Sequence, residues 1–291
     1  MKAASFTPIL NIPEGCVGAY KIRHLLYPAG HRFETATART AIMGGQHWAQ
    51  IAFNKPVRFH ELSYQHGVWM TDLPVEQAQS NPIFHNYTGH VLVGGLGIGY
   101  AATRIAERKQ VRSVTVVEIS AEVIKLAAPH LPTRVKHKIT VVKADLFKFL
   151  KQCASAGRRF DRAFYDIWQS DSEDTFFHVV VPLLAASQGI VARRPDCWNE
   201  DVMRGQLFFS LRGKVVLLNQ PSLLSGKEDE TTESMLDKLC SRANSIWHDW
   251  QVPFFCWYRA RRPDAETAQA YLTQYARTYG LPGHAEAWAN P

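Results

Sequence analysis

The sequence contains no Cys-x-x-Cys pair, no long tract of one charge and no apolar stretch long enough to cross a bilayer. Its five cysteines, Cys16, Cys153, Cys197, Cys240 and Cys256, are odd in number and far apart, which argues against a disulfide framework and against a zinc knuckle. A reducing, cytoplasmic setting fits that usage best. The longest apolar stretch, Phe176 to Ala186, is broken by His178 and Pro182 and falls well short of the roughly 20 residues a span needs, so no membrane association is expected. Near the amino terminus, Pro8, Asn11 and Pro13 interrupt what would otherwise be the apolar region of a signal peptide. Known catalytic signatures are missing too. There is no HExxH and no GxSxG, and Gly226-Lys227 runs into Glu228 without the upstream glycine of a P-loop.

What is present is the composition of a globular protein. With 291 residues, 46% hydrophobic and 20% charged, there is chain enough for one large domain or two smaller ones. The formal net charge of +7 favours contact with anions, nucleic acid among them. The basic residues nevertheless fall in short groups (Arg134 to Lys138, Arg158 and Arg159, Arg193 and Arg194, Arg259 to Arg262), a pattern that fits solvated faces better than a nucleic-acid groove.

Two patterns divide the chain. Residues 18 to 70 read as short extended segments rich in Thr, aromatic and β-branched residues, punctuated by Pro28, Gly30, Gly44, Gly45, Pro56 and Gly67. From about residue 90, apolar runs alternate with helical patterns: Val91 to Val93 then Tyr100 to Lys109, Ser113 to Val117 then Ala121 to Ala128, Ile139 to Val142 then Leu146 to Gln152, Arg162 to Tyr165 then Thr175 to Ala186, and Gly189 to Ala192. Such β-then-α units predict an α/β fold with a doubly wound, mainly parallel sheet, preceded by a small β-rich N-terminal unit. The division expected is 1–75 for that unit and 76–291 for the Rossmann-like domain. Further on, Lys214 to Asn219 and Val252 to Tyr258 read as strands around a helix at Thr232 to Trp247, with Ala265 to Tyr279 as a closing helix.

The most informative segment is Val91-Leu92-Val93-Gly94-Gly95-Leu96-Gly97-Ile98-Gly99-Tyr100, an apolar strand running through glycines into a helix. It brings backbone N–H groups where a nucleotide-like ligand can approach closely. Three acidic residues follow at successive strand ends. Glu118 lies 21 residues past Gly97, where a carboxylate accepts from a ribose diol; Asp145 follows the third strand; Asp166 closes the fourth, at the carboxyl edge of the sheet. Gly97 to Ala102 also satisfies a G-x-G-x-x-A dinucleotide fingerprint, which keeps an NAD enzyme in view, although no second βαβ half for nicotinamide is apparent.

At these residues the sequence resembles the class I S-adenosylmethionine-dependent methyltransferase fold, in its spermidine synthase-like branch. The resemblance covers roughly residues 60 to 192 and rests on the Gly94 to Gly99 loop, Val114 to Ile119, Val142 to Asp145, and Phe160-Asp161 followed by Asp166. It implies S-adenosylmethionine as cofactor, held by Gly94, Gly95, Gly97, Gly99, Glu118, Ile119 and Asp145, with Glu118 on the ribose and Asp145 near the adenine. It also implies that Asp166 helps to deprotonate an attacking amine. Aminopropyltransferases carry an aspartate inside the loop, where this sequence has Gly97, and here the segment after Asp166 reads Ile167-Trp168-Gln169-Ser170-Asp171. Both departures favour a methyltransferase acting on a nitrogen or oxygen nucleophile over a polyamine aminopropyltransferase. A catalytically silent scaffold or nucleic-acid-binding module on the same fold is the reading from another class.

Other residues have two readings. Glu76 sits on the expected substrate side, while Thr71 or Asp72 can instead cap a helix beginning near Pro74. Trp168 can wall a cationic substrate or pack in the core. Asp166, Asp171, Glu173 and Asp174 form an acidic group better suited to a helix start than to a cation. The aromatic run from Trp247 to Arg259 is read as a buried helix end and strand rather than a single-strand binding face. A small-molecule substrate is the expected partner, and a homodimer is left open.

Overall fold

In the computed structural model the described residues are 6, 8–38, 40, 41, 45–169, 171, 172, 175–206, 270 and 274. The strands and helices expected between Lys214 and Tyr279, the aromatic run at Trp247, and Glu173 and Asp174 lie outside them. The chain divides into two compact units, Met1–Asp171 with His178–Glu200, and Ser172–Phe177 with Asp201–Pro291. In the second, the Arg204 guanidinium lies 5.7 Å from the centre of the Phe176 ring.

The first unit begins with antiparallel strands. β1 (Gly15–Val17), β2 (Tyr20–Tyr27), β5 (Val57–Tyr64) and β6 (Gly67–Thr71) form one sheet in the order β1-β2-β5-β6, and β3 (Arg32–Glu34) pairs with β4 (Gln50–Ala52). Phe33, Ile51 and Phe59 bury their rings and side chains together beneath this region. Two histidines fasten the preceding segment to it. The His60 ring nitrogen Nε2 accepts from the Ile12 N–H at 3.3 Å, and the His24 ring lies 2.8 Å from the Ile12 carbonyl oxygen.

Helix α1 (Pro74–Ser80) leads to the parallel sheet, whose strands are β7 (Gly89–Gly94), β8 (Val111–Glu118), β9 (Ile139–Lys143), β10 (Arg162–Tyr165) and β11 (Asp196–Cys197). Their order is β11-β10-β7-β8-β9, with every neighbouring pair parallel. The chain winds outward from β7 in both directions, so the switch point of the sheet lies between β7 and β10, where ligands bind in open α/β folds. Connecting helices are α2 (Tyr100–Ala106), α3 (Ala121–Ala127), α4 (Thr133–Lys136), α5 (Leu146–Ser155) and α6 (Val181–Ala186). Val91, Leu92 and Val93 are all buried, as are Val114 to Val117, because helices cover both faces and leave no polar side for alternation. Each such side chain contributes about 1.5–3 kcal/mol relative to an exposed one.

The last strand departs from the sequence reading. Of Gly189 to Ala192, only Val191 makes a bridge, to Phe160, and the ladder on β10 is completed by Asp196–Cys197. The buried Tyr87 hydroxyl explains the shift: it lies 2.8 Å from the Ala163 carbonyl oxygen and 2.8 Å from the Asp196 carboxylate, tying β10 and β11 to one point. Trp198 then donates its backbone N–H to the Tyr165 carbonyl at 2.9 Å, which carries the chain past the end of β10.

Candidate active site

The carboxyl ends of β7, β8, β9 and β10 open on a cavity of about 220 Å³. Gly95, Leu96, Gly97, Glu118, Ile119, Asp145, Asp166 and Trp168 line it from the sheet, Glu76 from α1, and Met70 and Trp69 from β6. The sequence-predicted residues Glu118, Asp145 and Asp166 are thereby brought together with Glu76 and Trp168. Gly94 and Gly99 are not in the lining. Gly94 packs against Leu146 and Tyr165, and Gly99 against Leu131, where a Cβ would stand 2.5 Å and 2.7 Å from the leucine methyls.

Gly95 and Gly97 have φ of +92° and +50°, in the left-handed region. A Cβ on Gly95 would overlap the Asp166 carbonyl oxygen, and one on Gly97 would overlap the Met70 sulfur. The loop can lie this close to its surroundings only without side chains. We expect Gly95→Ala to cost about 1–3 kcal/mol of stability from the backbone strain alone. A thermal melt unchanged from wild type would contradict this packing. Substitutions here disturb the fold before they disturb a ligand, so they are poor probes of binding.

Glu118 is more deeply engaged than its position in the sequence implies. Its Oε2 accepts from the Leu96 N–H and its Oε1 from the Ser120 N–H, both at 2.8 Å, so it staples the glycine loop to the turn after β8. Ile119 stands out into solvent at the cavity edge, 67% exposed. Asp145 has a second duty as the N-cap of α5, accepting from the Lys148 N–H at 2.9 Å. Trp168 is 7% exposed, and its indole N–H has no partner among the described residues.

The helix expected near Pro74 is not capped by Asp72. Leu73 is the N-cap, without a side-chain bond, and Pro74 takes the first position. The Asp72 carboxylate is instead fully buried against the His60 ring at 3.0 Å and accepts the His60 N–H. Because His60 Nε2 accepts from Ile12, its proton sits on Nδ1, facing Asp72. Nearby, Gln77 is buried and donates to the carbonyls of Phe6 (3.1 Å) and Asp72 (2.8 Å) while accepting from Tyr100 (3.0 Å). That network holds α1 so that the adjacent Glu76 faces the cavity.

Glu76 and Asp166 are half-buried carboxyls with raised pKa values. Burial, then repulsion from Asp166 and Asp171, pushes Glu76 up to about 8, against a hydrogen bond with Trp198. Burial and the Glu118 charge push Asp166 up to about 7. In the unfolded chain both ionise near about pH 4. Between that pH and the folded values, the native state holds protons that the unfolded state has released, so their contribution to stability declines as pH rises from about 4 to 8. We expect Glu76→Gln to be the more stable protein at about pH 8, by on the order of 1 kcal/mol, and to flatten the dependence of Tm on pH. Parallel melts across that range check this, and identical profiles would count against it.

The cavity residues that sequence reasoning missed include Tyr20, Leu62, Trp69, Met70 and Trp198. Met70 and Trp69 arise from a bulge. Leu62 pairs with Met70 and Ser63 with Val68, so Trp69 is an extra residue, and both Trp69 and Met70 reach the cavity. A strand of aromatic and apolar residues without clean alternation, Gly67-Val68-Trp69-Met70, was the available signal.

Residues 78–183 match the family model described as the spermine/spermidine synthase domain. That stretch is similar to the spermine/spermidine synthase domain, and its strand order is that of a Rossmann-like α/β sheet. No curated protein matches the sequence. Similar solved structures include a SAM-dependent methyltransferase from Agrobacterium tumefaciens (17% identity, TM-score 0.35, 47% of this chain and 47% of that one). They also include spermidine synthase from Thermotoga maritima (12% identity, TM-score 0.32, 57% and 61%). A third is Aeropyrum pernix fibrillarin with natively bound S-adenosyl-L-methionine (13% identity, TM-score 0.28, 36% and 41%). The chain spans about half the length of the first of these and less than two thirds of each of the others. Among the described residues, no helix is long and apolar enough to cross a membrane.

Proposed function

We propose that this protein is an S-adenosylmethionine-dependent transferase that alkylates a nitrogen or oxygen nucleophile, with methyl transfer as the favoured reaction. One observation carries the reading: a single cavity holds Glu118 and Asp145 beside the glycine loop, and Asp166 and Glu76 with three tryptophans, Trp69, Trp168 and Trp198. The residues fit a sulfonium nucleoside. Glu118 would hold the ribose hydroxyls, and Ile119 and Asp145 would flank the adenine. When bound, the cofactor supplies an electrophilic carbon on a positively charged sulfur and leaves as a neutral thioether. Carboxylates and tryptophan faces both favour a cation in that space.

Asp166 acts as the proton acceptor. A carboxyl titrating near 7 is present in both forms at neutral pH, which suits a base that must take a proton from the nucleophile. Alignment of the nucleophile between Asp166 and Glu76 supplies the rest of the rate. The acceptor is a small molecule, and the free thiols of Cys16, Cys153 and Cys197 agree with a reducing, cytoplasmic setting.

Aminopropyl transfer to a polyamine is the second reading. It is favoured by the domain match and by a cavity whose described lining contains no Lys, Arg or His to hold a cofactor carboxylate. Titration calorimetry with S-adenosylmethionine, its decarboxylated form and NAD, followed by turnover with amines, separates these outcomes. Tight binding of S-adenosylmethionine with methyl transfer supports the proposal. Selective binding of the decarboxylated form moves the assignment to aminopropyl transfer, NAD binding overturns both, and cofactor binding without turnover on any acceptor favours a silent scaffold.

A further inference from the structure

The glycine loop has few N–H groups left to offer. Gly95 N–H is given to the Val117 carbonyl (2.9 Å), Leu96 N–H to Glu118 (2.8 Å) and Gly99 N–H to the Leu96 carbonyl (2.7 Å). Ile98 N–H is directed at the Met70 sulfur, 3.3 Å away. A thioether is a weak acceptor, so this is the one contact of the four that a ligand oxygen can replace with gain. The same sulfur is the nearest atom to where a Cβ on Gly97 would lie, so a side chain at 97 and Met70 in this position exclude each other. Met70 therefore fills the space that a loop carboxylate would occupy at position 97. It does so because the bulge opposite Leu62 and Ser63 brings it into the cavity lining together with Trp69.

We infer that Met70 is a displaceable plug over the glycine loop, and that it sets how readily the site accepts the amino-acid tail of a sulfonium nucleoside. The inference rests on the proposed function and adds a specificity-determining residue to it. A tail that leaves a nucleoside at Glu118 across Gly97 meets the Met70 side chain there. A nucleoside without that tail need not move it. Met70 is joined to the loop only through its flexible thioether, so it can rotate away without breaking the β5–β6 ladder.

The test is calorimetric and needs no acceptor. S-adenosylhomocysteine carries the full amino-acid tail, and 5′-methylthioadenosine carries none. Met70→Ala is expected to tighten S-adenosylhomocysteine by about fivefold, the scale of one exchanged hydrogen bond, while leaving 5′-methylthioadenosine within about twofold. Met70→Leu, which keeps the bulk and the packing on Leu62, is expected to stay within about twofold of wild type for both ligands. Equal effects of Met70→Ala on the two ligands, no effect on either, or the same tightening by Met70→Leu overturns the plug and leaves the transferase reading standing. If neither nucleoside binds the wild type or the variants, the transferase reading fails and the plug with it.

Discussion

Asp166→Asn is expected to lower the transfer rate on the order of 100-fold or more while leaving cofactor affinity nearly unchanged. The substitution keeps the size of the side chain and much of its hydrogen bonding but removes the charge and the basicity. Asp166 follows β10 directly, and its N–H is given to the Gly94 carbonyl at 2.9 Å, so the backbone that aims it is part of the central ladder and should survive the change. The raised pKa gives a second signature. A rate that climbs through about pH 7 in the wild type, as Asp166 loses its proton, should lose that limb in the variant. Initial rates with a productive acceptor across that range, paired with calorimetry on the cofactor, check both parts. Near wild-type turnover in Asp166→Asn would leave catalysis to alignment alone.

The second large effect is expected at Glu118. Glu118→Ala should weaken S-adenosylhomocysteine at least about tenfold, because a buried carboxylate accepting from a diol gives charge-assisted bonds worth roughly 1.5–3 kcal/mol. The structure adds a cost. The Leu96 and Ser120 N–H groups both lose their acceptor, and each buried donor left unpaired costs about 1–3 kcal/mol. The variant should therefore melt earlier as well as bind more weakly. Binding is best measured at a temperature where circular dichroism shows it folded. Unchanged affinity in the folded variant would remove Glu118 from the ribose and leave it a structural staple of the loop.

The parallel sheet was legible because buried parallel strands must be apolar on both faces. Val91 to Val93 and Val114 to Val117 announce themselves as short continuous runs, and glycines at the end of the first have few other uses. The three acidic strand ends followed from the same reasoning, since position along a strand fixes which residue emerges at its carboxyl edge. The final strand was misread because its place depends on a contact distant in sequence, the Tyr87 hydroxyl held between Ala163 and Asp196. Local apolar character at Gly189 to Ala192 cannot report such a tie.

Sequence alone thus determined the α/β class, the loop, and the candidacy of Glu118, Asp145 and Asp166, because each follows from local periodicity and order along the chain. Tertiary structure alone decided which candidates share a space and what else each one holds. It set Glu76 in the same cavity as Asp166, beside the Gln77 network, and it withdrew Asp72 into a buried pair with His60. Through a one-residue bulge in β6 it also brought the Met70 sulfur over Gly97. These outcomes depend on desolvation and on contacts between residues far apart in the chain, and neither is written in local pattern.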